Sequence, residues 1–128
     1  DEIAERVLET HASTLESRPL PHASLVVGGH DRAVGASELT VAAEELPEDW
    51  RAELADTYLP SRFLTLRPPT DEQLGEWTDA LGLEEIPPIW KGRAAIDGEP
   101  TVYACRSFTC SPPKHDIAEA IEWLKSNA

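Results

Sequence analysis

The sequence predicts an α/β fold: a small mixed sheet with helices packed on it, in β-α-β-α-β-β-α order from residue 38 onward and preceded by two helices. Three observations carry this. Two β-branched runs, Glu38–Ala43 and Arg62–Arg67, flank a helical pattern, which makes a right-handed crossover with parallel strands. A second helical pattern follows at once, opened by Thr70 and closed by Gly82. Near the C-terminus, two short apolar runs meet at Asp97-Gly98, a hairpin signal, and a capped helix comes after them.

The elements follow in order. Residues 1–17 place Ile3, Val7, Leu8, His11 and Leu15 near helical spacing, with Glu2 and Glu5 in the first turn, and Arg18-Pro19 stops the helix. Residues 21–34 are ambiguous. Ser24-Leu-Val-Val-Gly28 suits a buried strand, whereas Pro21 and Gly35 suit the two ends of a helix; propensity alone favours the strand. After the strand at 38–43, residues 47–59 form a helix with Trp50, Leu54 and Tyr58 on one face, ended by Pro60. The strand at 62–67 closes on Pro68-Pro69, and the helix at 71–81 buries Leu74, Trp77 and Leu81. Residues 84–90 are an extended Pro-Pro linker. The hairpin pairs 93–96 with 101–105, and Asp116 caps a last helix, 117–125, facing Ala120, Ile121 and Leu124 inward.

Composition narrows the class. Twenty-four acidic residues stand against 11 basic ones in 128, a net charge of −13 that repels nucleic-acid phosphates and anionic lipid headgroups. The chain shows no membrane-spanning run and no signal-peptide pattern, so it reads as cytoplasmic, without a nucleic-acid or membrane partner. Lysine occurs three times and arginine eight, and the carboxylates are spread throughout, which reads as a salt-adapted, halophilic protein. There is no methionine, and Asp1 already lies in a helical pattern; the chain reads as a piece of a longer one.

The stretch Pro100-Thr-Val-Tyr-Ala-Cys-Arg-Ser-Phe-Thr-Cys-Ser-Pro-Pro113, with Asp97-Gly98 before it, resembles the C-terminal signature of the YyaL-like, spermatogenesis-associated thioredoxin-domain family, in a form like that of a halophilic archaeon. The matching positions are Asp97, Gly98, Pro100, Thr101, Tyr103, Cys105, Phe108, Cys110 and Pro113, with weaker echoes in Tyr58-Leu-Pro60 and Ser17-Arg-Pro-Leu-Pro21. The resemblance implies a parent chain with an N-terminal thioredoxin-like domain, an (α/α)6 barrel and a small α/β region. Residues 1–35 would then be the end of the barrel and 36–128 the C-terminal α/β domain, which turns the ambiguous segment 21–34 into a helix. The β-α-β-α-β-β-α order is that of a thioredoxin-like fold, with a Rossmann-like half as the alternative. A thioredoxin-like version would be redox-dead, because Glu44-Glu45-Leu46-Pro47 stands where an active C-x-x-C would sit.

Three functions compete. The first is a non-catalytic accessory domain of the parent chain. The second is a thiol redox element built on Cys105 and Cys110, with Arg106 as modulator. The third is a contribution to a carbohydrate-type active site at the barrel boundary. A reducing compartment favours two reduced, mostly buried thiols over a disulfide. Cys105, Cys110 and His115 form a weak metal set, one C-x4-C with one histidine where structural zinc wants four ligands. Tyr103, Phe108 and Trp90 are candidate contact residues, the last beside Pro87-Pro88. No pattern calls for a cofactor, and no reaction falls to this segment alone. The expected partners are the rest of the parent chain, or a second copy meeting residues 1–34.

Overall fold

The structure, a computed structural model, describes residues 2–60, 62–107 and 109–127. Its contacts divide into two compact units, residues 1–35 and 36–128. Among the described residues no helix is long and apolar enough to cross a membrane.

The first unit is helical. α1 spans Glu2–Ser17, a single 3-10 turn covers Leu20–His22, and α2 spans Ala23–Val34. The segment that propensity favours as a strand is therefore a helix. Its end is set by Gly35, which adopts φ 75°, a conformation that costs a residue with a side chain, and whose N–H bonds the Asp31 carbonyl at 2.9 Å. Leu8, Leu15 and Leu25 are half-buried, and Arg32 pairs with Glu5. Neither helix buries a residue fully.

The second unit holds a four-stranded sheet in the order β2-β1-β3-β4, formed by β1 (Ser37–Ala42), β2 (Arg62–Arg67), β3 (Thr101–Arg106) and β4 (Thr109–Cys110). β1 and β2 run parallel, joined by α3 (Glu48–Asp56) as the crossover; β3 is antiparallel to both β1 and β4. The sheet is therefore mixed, and its two antiparallel pairings are incompatible with an all-parallel Rossmann-like half. α4 (Asp71–Ala80) is capped by Thr70, whose Oγ1 accepts from the Gln73 N–H at 3.2 Å. α5 (Ile117–Ser126) is capped by Asp116, whose Oδ1 accepts from the Ala118 N–H at 2.8 Å.

Strand alternation gives the sheet two unlike faces. One is apolar: Leu39, Val41, Val102 and Ala104 pack against Trp50 and Leu54 of α3 and Ile117, Ala120, Ile121 and Leu124 of α5. This is the core that α5's sequence pattern promises. Tyr58, expected beside Trp50 and Leu54, is 85% exposed, because α3 ends at Asp56 and Thr57 turns extended. On α4, Leu74 is buried, but Trp77 keeps 39% of its surface exposed and Leu81, just past the helix end, 60%.

The other face is polar, and the chain between α4 and β3 crosses it. This segment differs from expectation twice. The Pro-Pro linker is not extended: Pro87 accepts from the N–H groups of Trp90 and Lys91 and so closes a turn. Residues 93–96 are not a strand either. Asp97 and Gly98 do form a turn with positive φ, but only Ile96 and Glu99 bridge across it. The backbone groups a ladder would need are engaged elsewhere: the Ala95 N–H bonds the Pro69 carbonyl, the Ala94 carbonyl accepts from Tyr103, and the Ile96 N–H bonds Thr101 Oγ1. The C-terminal hairpin therefore lies further on, between β3 and β4, around Ser107 at φ 47°.

Candidate functional site

The polar face is built from residues that alternate with the core positions. In register across β2, β1 and β3, Thr65, Thr40 and Tyr103 form one row, and Arg67, Ala42 and Thr101 the next. Cys105 continues the row of Tyr103 along β3, opposite Glu38 of β1. Strand alternation thus places Cys105 and Tyr103 on the same face.

Arg67 is the anchor of this face. Its side chain is 0% exposed, and its three nitrogens donate to the Pro68 carbonyl (2.9 Å), the Trp90 carbonyl (2.8 Å) and Asp71 Oδ1 (2.9 Å). The Trp90 indole N–H donates to Thr65 Oγ1 at 2.7 Å, and its ring meets Trp77 edge to face at 6.5 Å. Trp90, expected as a contact platform, is thus half-buried and engaged internally. The Tyr103 hydroxyl donates to the Ala94 carbonyl at 2.6 Å; burial pushes its pKa above the ordinary value, while the Arg67 and Arg93 charges pull it down. Phe108, the third candidate contact residue, lies outside the described residues.

At the edge of the same face, Cys105 and Cys110 are joined as a disulfide. This corrects the expectation of two reduced, mostly buried thiols. The reason is register. The hairpin sets Cys105 directly opposite Cys110, with Cα atoms 4.0 Å apart, and the Ser111 N–H to Ala104 carbonyl bond (2.8 Å) makes the next pair the hydrogen-bonded one. The cysteines thus occupy a non-hydrogen-bonded pair, where side chains come closest. Burial is unequal: Cys105 is 2% exposed, whereas Cys110, on the two-residue edge strand, is exposed.

The arginine beside the sulfurs is not Arg106. Alternation sends Arg106 to the opposite face, where it is buried and Nη1 reaches the Leu124 carbonyl at 3.4 Å. Arg93 occupies the place instead. Its Nη2 lies 3.2 Å from Cys105 Sγ and 3.8 Å from Cys110 Sγ, and Nη1 donates to Thr40 Oγ1 (3.0 Å) and the Ile89 carbonyl (2.8 Å). No carboxylate is among its described partners. Sequence reasoning missed Arg93 because it is read there as the start of a strand and the sulfurs lie 12 and 17 positions away.

The weak metal set does not assemble. The two sulfurs are bonded to each other, His115 Nδ1 faces the Pro100 carbonyl at 3.1 Å and Glu99 at 3.9 Å, and no group of three His, Cys, Asp or Glu converges among the described residues. A separate open cleft of about 330 Å³ lies past the end of β1, lined by Glu44, Glu45, Pro47, Glu99 and Pro100 among others. Its ionisable side chains are the carboxylates of Glu44, Glu45 and Glu99, with no thiol, hydroxyl, imidazole or amine among the lining residues.

Compared with known proteins, the chain matches no family model, and neither the curated proteins nor the solved structures contain a match to it.

Proposed function

We propose that this chain is a non-catalytic accessory domain of a larger protein, docking through its helical unit onto the rest of its own parent chain. One observation carries the reading: the helices of residues 1–35 bury no side chain fully and leave Ile3, Val7, Val26 and Val27 open to water, Ile3 at 78%. Apolar side chains gathered on two amphipathic helices mark a surface that another element covers. The family resemblance supplies the occupant, the preceding helices of an (α/α)6 barrel. The second unit supports the reading from the other side. Glu44-Glu45-Leu46-Pro47 follows β1 without a thiol, and the adjoining cleft is lined without a thiol, hydroxyl, imidazole or amine. The net charge of −13 fits a cytoplasmic, salt-adapted setting.

Amide hydrogen exchange tests it. In the isolated chain, α1 and α2 should exchange fast while β1 and β3 are protected. Extending the chain by the preceding segment of its parent should slow exchange in α1 and α2. Equal protection of the two units in an isolated monomer would remove the reading, and protection that appears only on dimerisation would put a second copy in the parent's place.

A further inference from the structure

We propose that Cys105–Cys110 is a reversible thiol–disulfide site, opened by an external low-potential dithiol that attacks the exposed Cys110 sulfur, with Arg93 receiving Cys105 as a thiolate. This goes beyond the accessory role and does not depend on it.

The two sulfurs are unlike. Cys105 is buried in a six-residue strand paired on both sides, while Cys110 sits exposed on a two-residue edge strand. An incoming thiolate can reach Cys110 and not Cys105. Attack there forms a bond from the dithiol's sulfur to Cys110 Sγ and breaks the bond between Cys110 and Cys105. The bonding pair leaves on Cys105 Sγ. The dithiol's second thiolate then attacks its own partner sulfur in the mixed disulfide, closes the reagent's disulfide and expels Cys110 as a thiolate, which takes a proton from water. Two electrons pass from the dithiol to the protein.

The leaving sulfur is the one Arg93 addresses most closely, at 3.2 Å. A neutral disulfide is a weak acceptor, and a half-buried guanidinium gains little from it. A thiolate at the same position turns the contact into a charge-assisted pair. The same face carries another arginine, Arg67, and that one has its carboxylate, Asp71. Arg93 is held in place by neutral groups, Thr40 and the Ile89 carbonyl, so its charge remains available to the sulfurs. The other ionisable groups on this face are Glu38, opposite Cys105 on β1, and Tyr103, two residues along β3. Glu38 opposes the thiolate, but no ion pair joins it to Arg93.

The bond is also a weak structural device. It links residues five apart, and the benefit of closing a ring grows with its length. The Ser111–Ala104 backbone bond and the reciprocal bonds between Val102 and Lys114 already hold the returning chain against β3. Opening the disulfide therefore leaves the sheet intact and frees the hairpin end.

The test is redox titration of the 128-residue chain against dithiothreitol and glutathione buffers, read by thiol alkylation and mass spectrometry. The folded chain should titrate reversibly. Arg93→Gln should disfavour the reduced form about tenfold, a fall in potential of about 30 mV, while Arg93→Lys should retain most of the wild-type value. A single-cysteine dithiol-protein variant lacking its resolving thiol should be trapped on Cys110. In Cys110→Ala, the Cys105 thiolate absorbance at 240 nm should appear below the ordinary thiol range near pH 8.5 and move up when Arg93→Gln is added. Reduction only after unfolding, an adduct mapped to Cys105, or a potential and titration indifferent to Arg93→Gln would each overturn the proposal; circular dichroism establishes that the variants compared are folded.

Discussion

Arg67 and Arg93 lie on the same sheet face and end in opposite electrostatic situations. Arg67 is fully buried, with every nitrogen engaged by a carbonyl or by Asp71. Its charge is answered within the fold, and its work is to fasten the turn at Trp90 to the end of β2. Arg93 is half-buried and rests on a hydroxyl, a carbonyl and two sulfurs. A cation that already has its carboxylate is a rivet. One whose nearest potential anion is a sulfur that becomes charged only on reduction is sensitive to redox state.

The largest expected effect tests the rivet. Arg67→Leu should cost about 2–4 kcal/mol in urea unfolding, since it strands the Pro68 and Trp90 carbonyls in a buried site. Arg93→Leu should cost no more than about 1 kcal/mol in the oxidised chain. Equal losses would erase the distinction.

Next in size is the disulfide. Cys105→Ala with Cys110→Ala should lower stability by at most about 2 kcal/mol, the chain-entropy value for so short a ring, with the β3–β4 amides still protected. A larger loss, or a sheet that opens at β3, would make the bond structural and remove the contrast with Arg67.

Tyr103→Phe should cost about 1 kcal/mol through the bond to Ala94. It should also change the alkaline limb. The folded protein holds the Tyr103 proton more tightly than the unfolded chain does. That contribution is present below the ordinary tyrosine pKa of about 10 and is lost as pH rises through the higher folded value. Stability measured from pH 9 to 12 should fall less steeply in Tyr103→Phe than in the wild type.

The smallest effect sharpens the account of Arg67. Asp71 is 69% exposed, so Asp71→Asn should cost under about 1 kcal/mol, less still in molar KCl. Over the same rise in salt the whole chain, at −13, should melt at a higher temperature. A large loss in Asp71→Asn would mean that the carboxylate, rather than the carbonyls, holds Arg67.

The elements whose signals are local were legible in the sequence. Thr70 and Asp116 cap α4 and α5 as read, Pro47 and Pro60 bracket α3, and the alternation in 38–43 and 62–67 yields a parallel pair around a crossover helix. Caps, breakers and periodicity act within a few residues, so they are visible in a string. The order β-α-β-α-β-β-α was legible too, although its last two strands are 101–106 and 109–110 rather than 93–96 and 101–105. The remaining features arise from long-range contacts. Residues 93–96 look like a strand until Pro69, Tyr103 and Thr101 take their hydrogen bonds. Cys105 meets Cys110 because the β3–β4 pairing sets them opposite each other, and Arg93 rather than Arg106 reaches the sulfurs because alternation sends Arg106 to the core face while a loop lays Arg93 over the other. Each depends on which distant groups compete for the same backbone or charge, a competition that exists only once the sheet has formed.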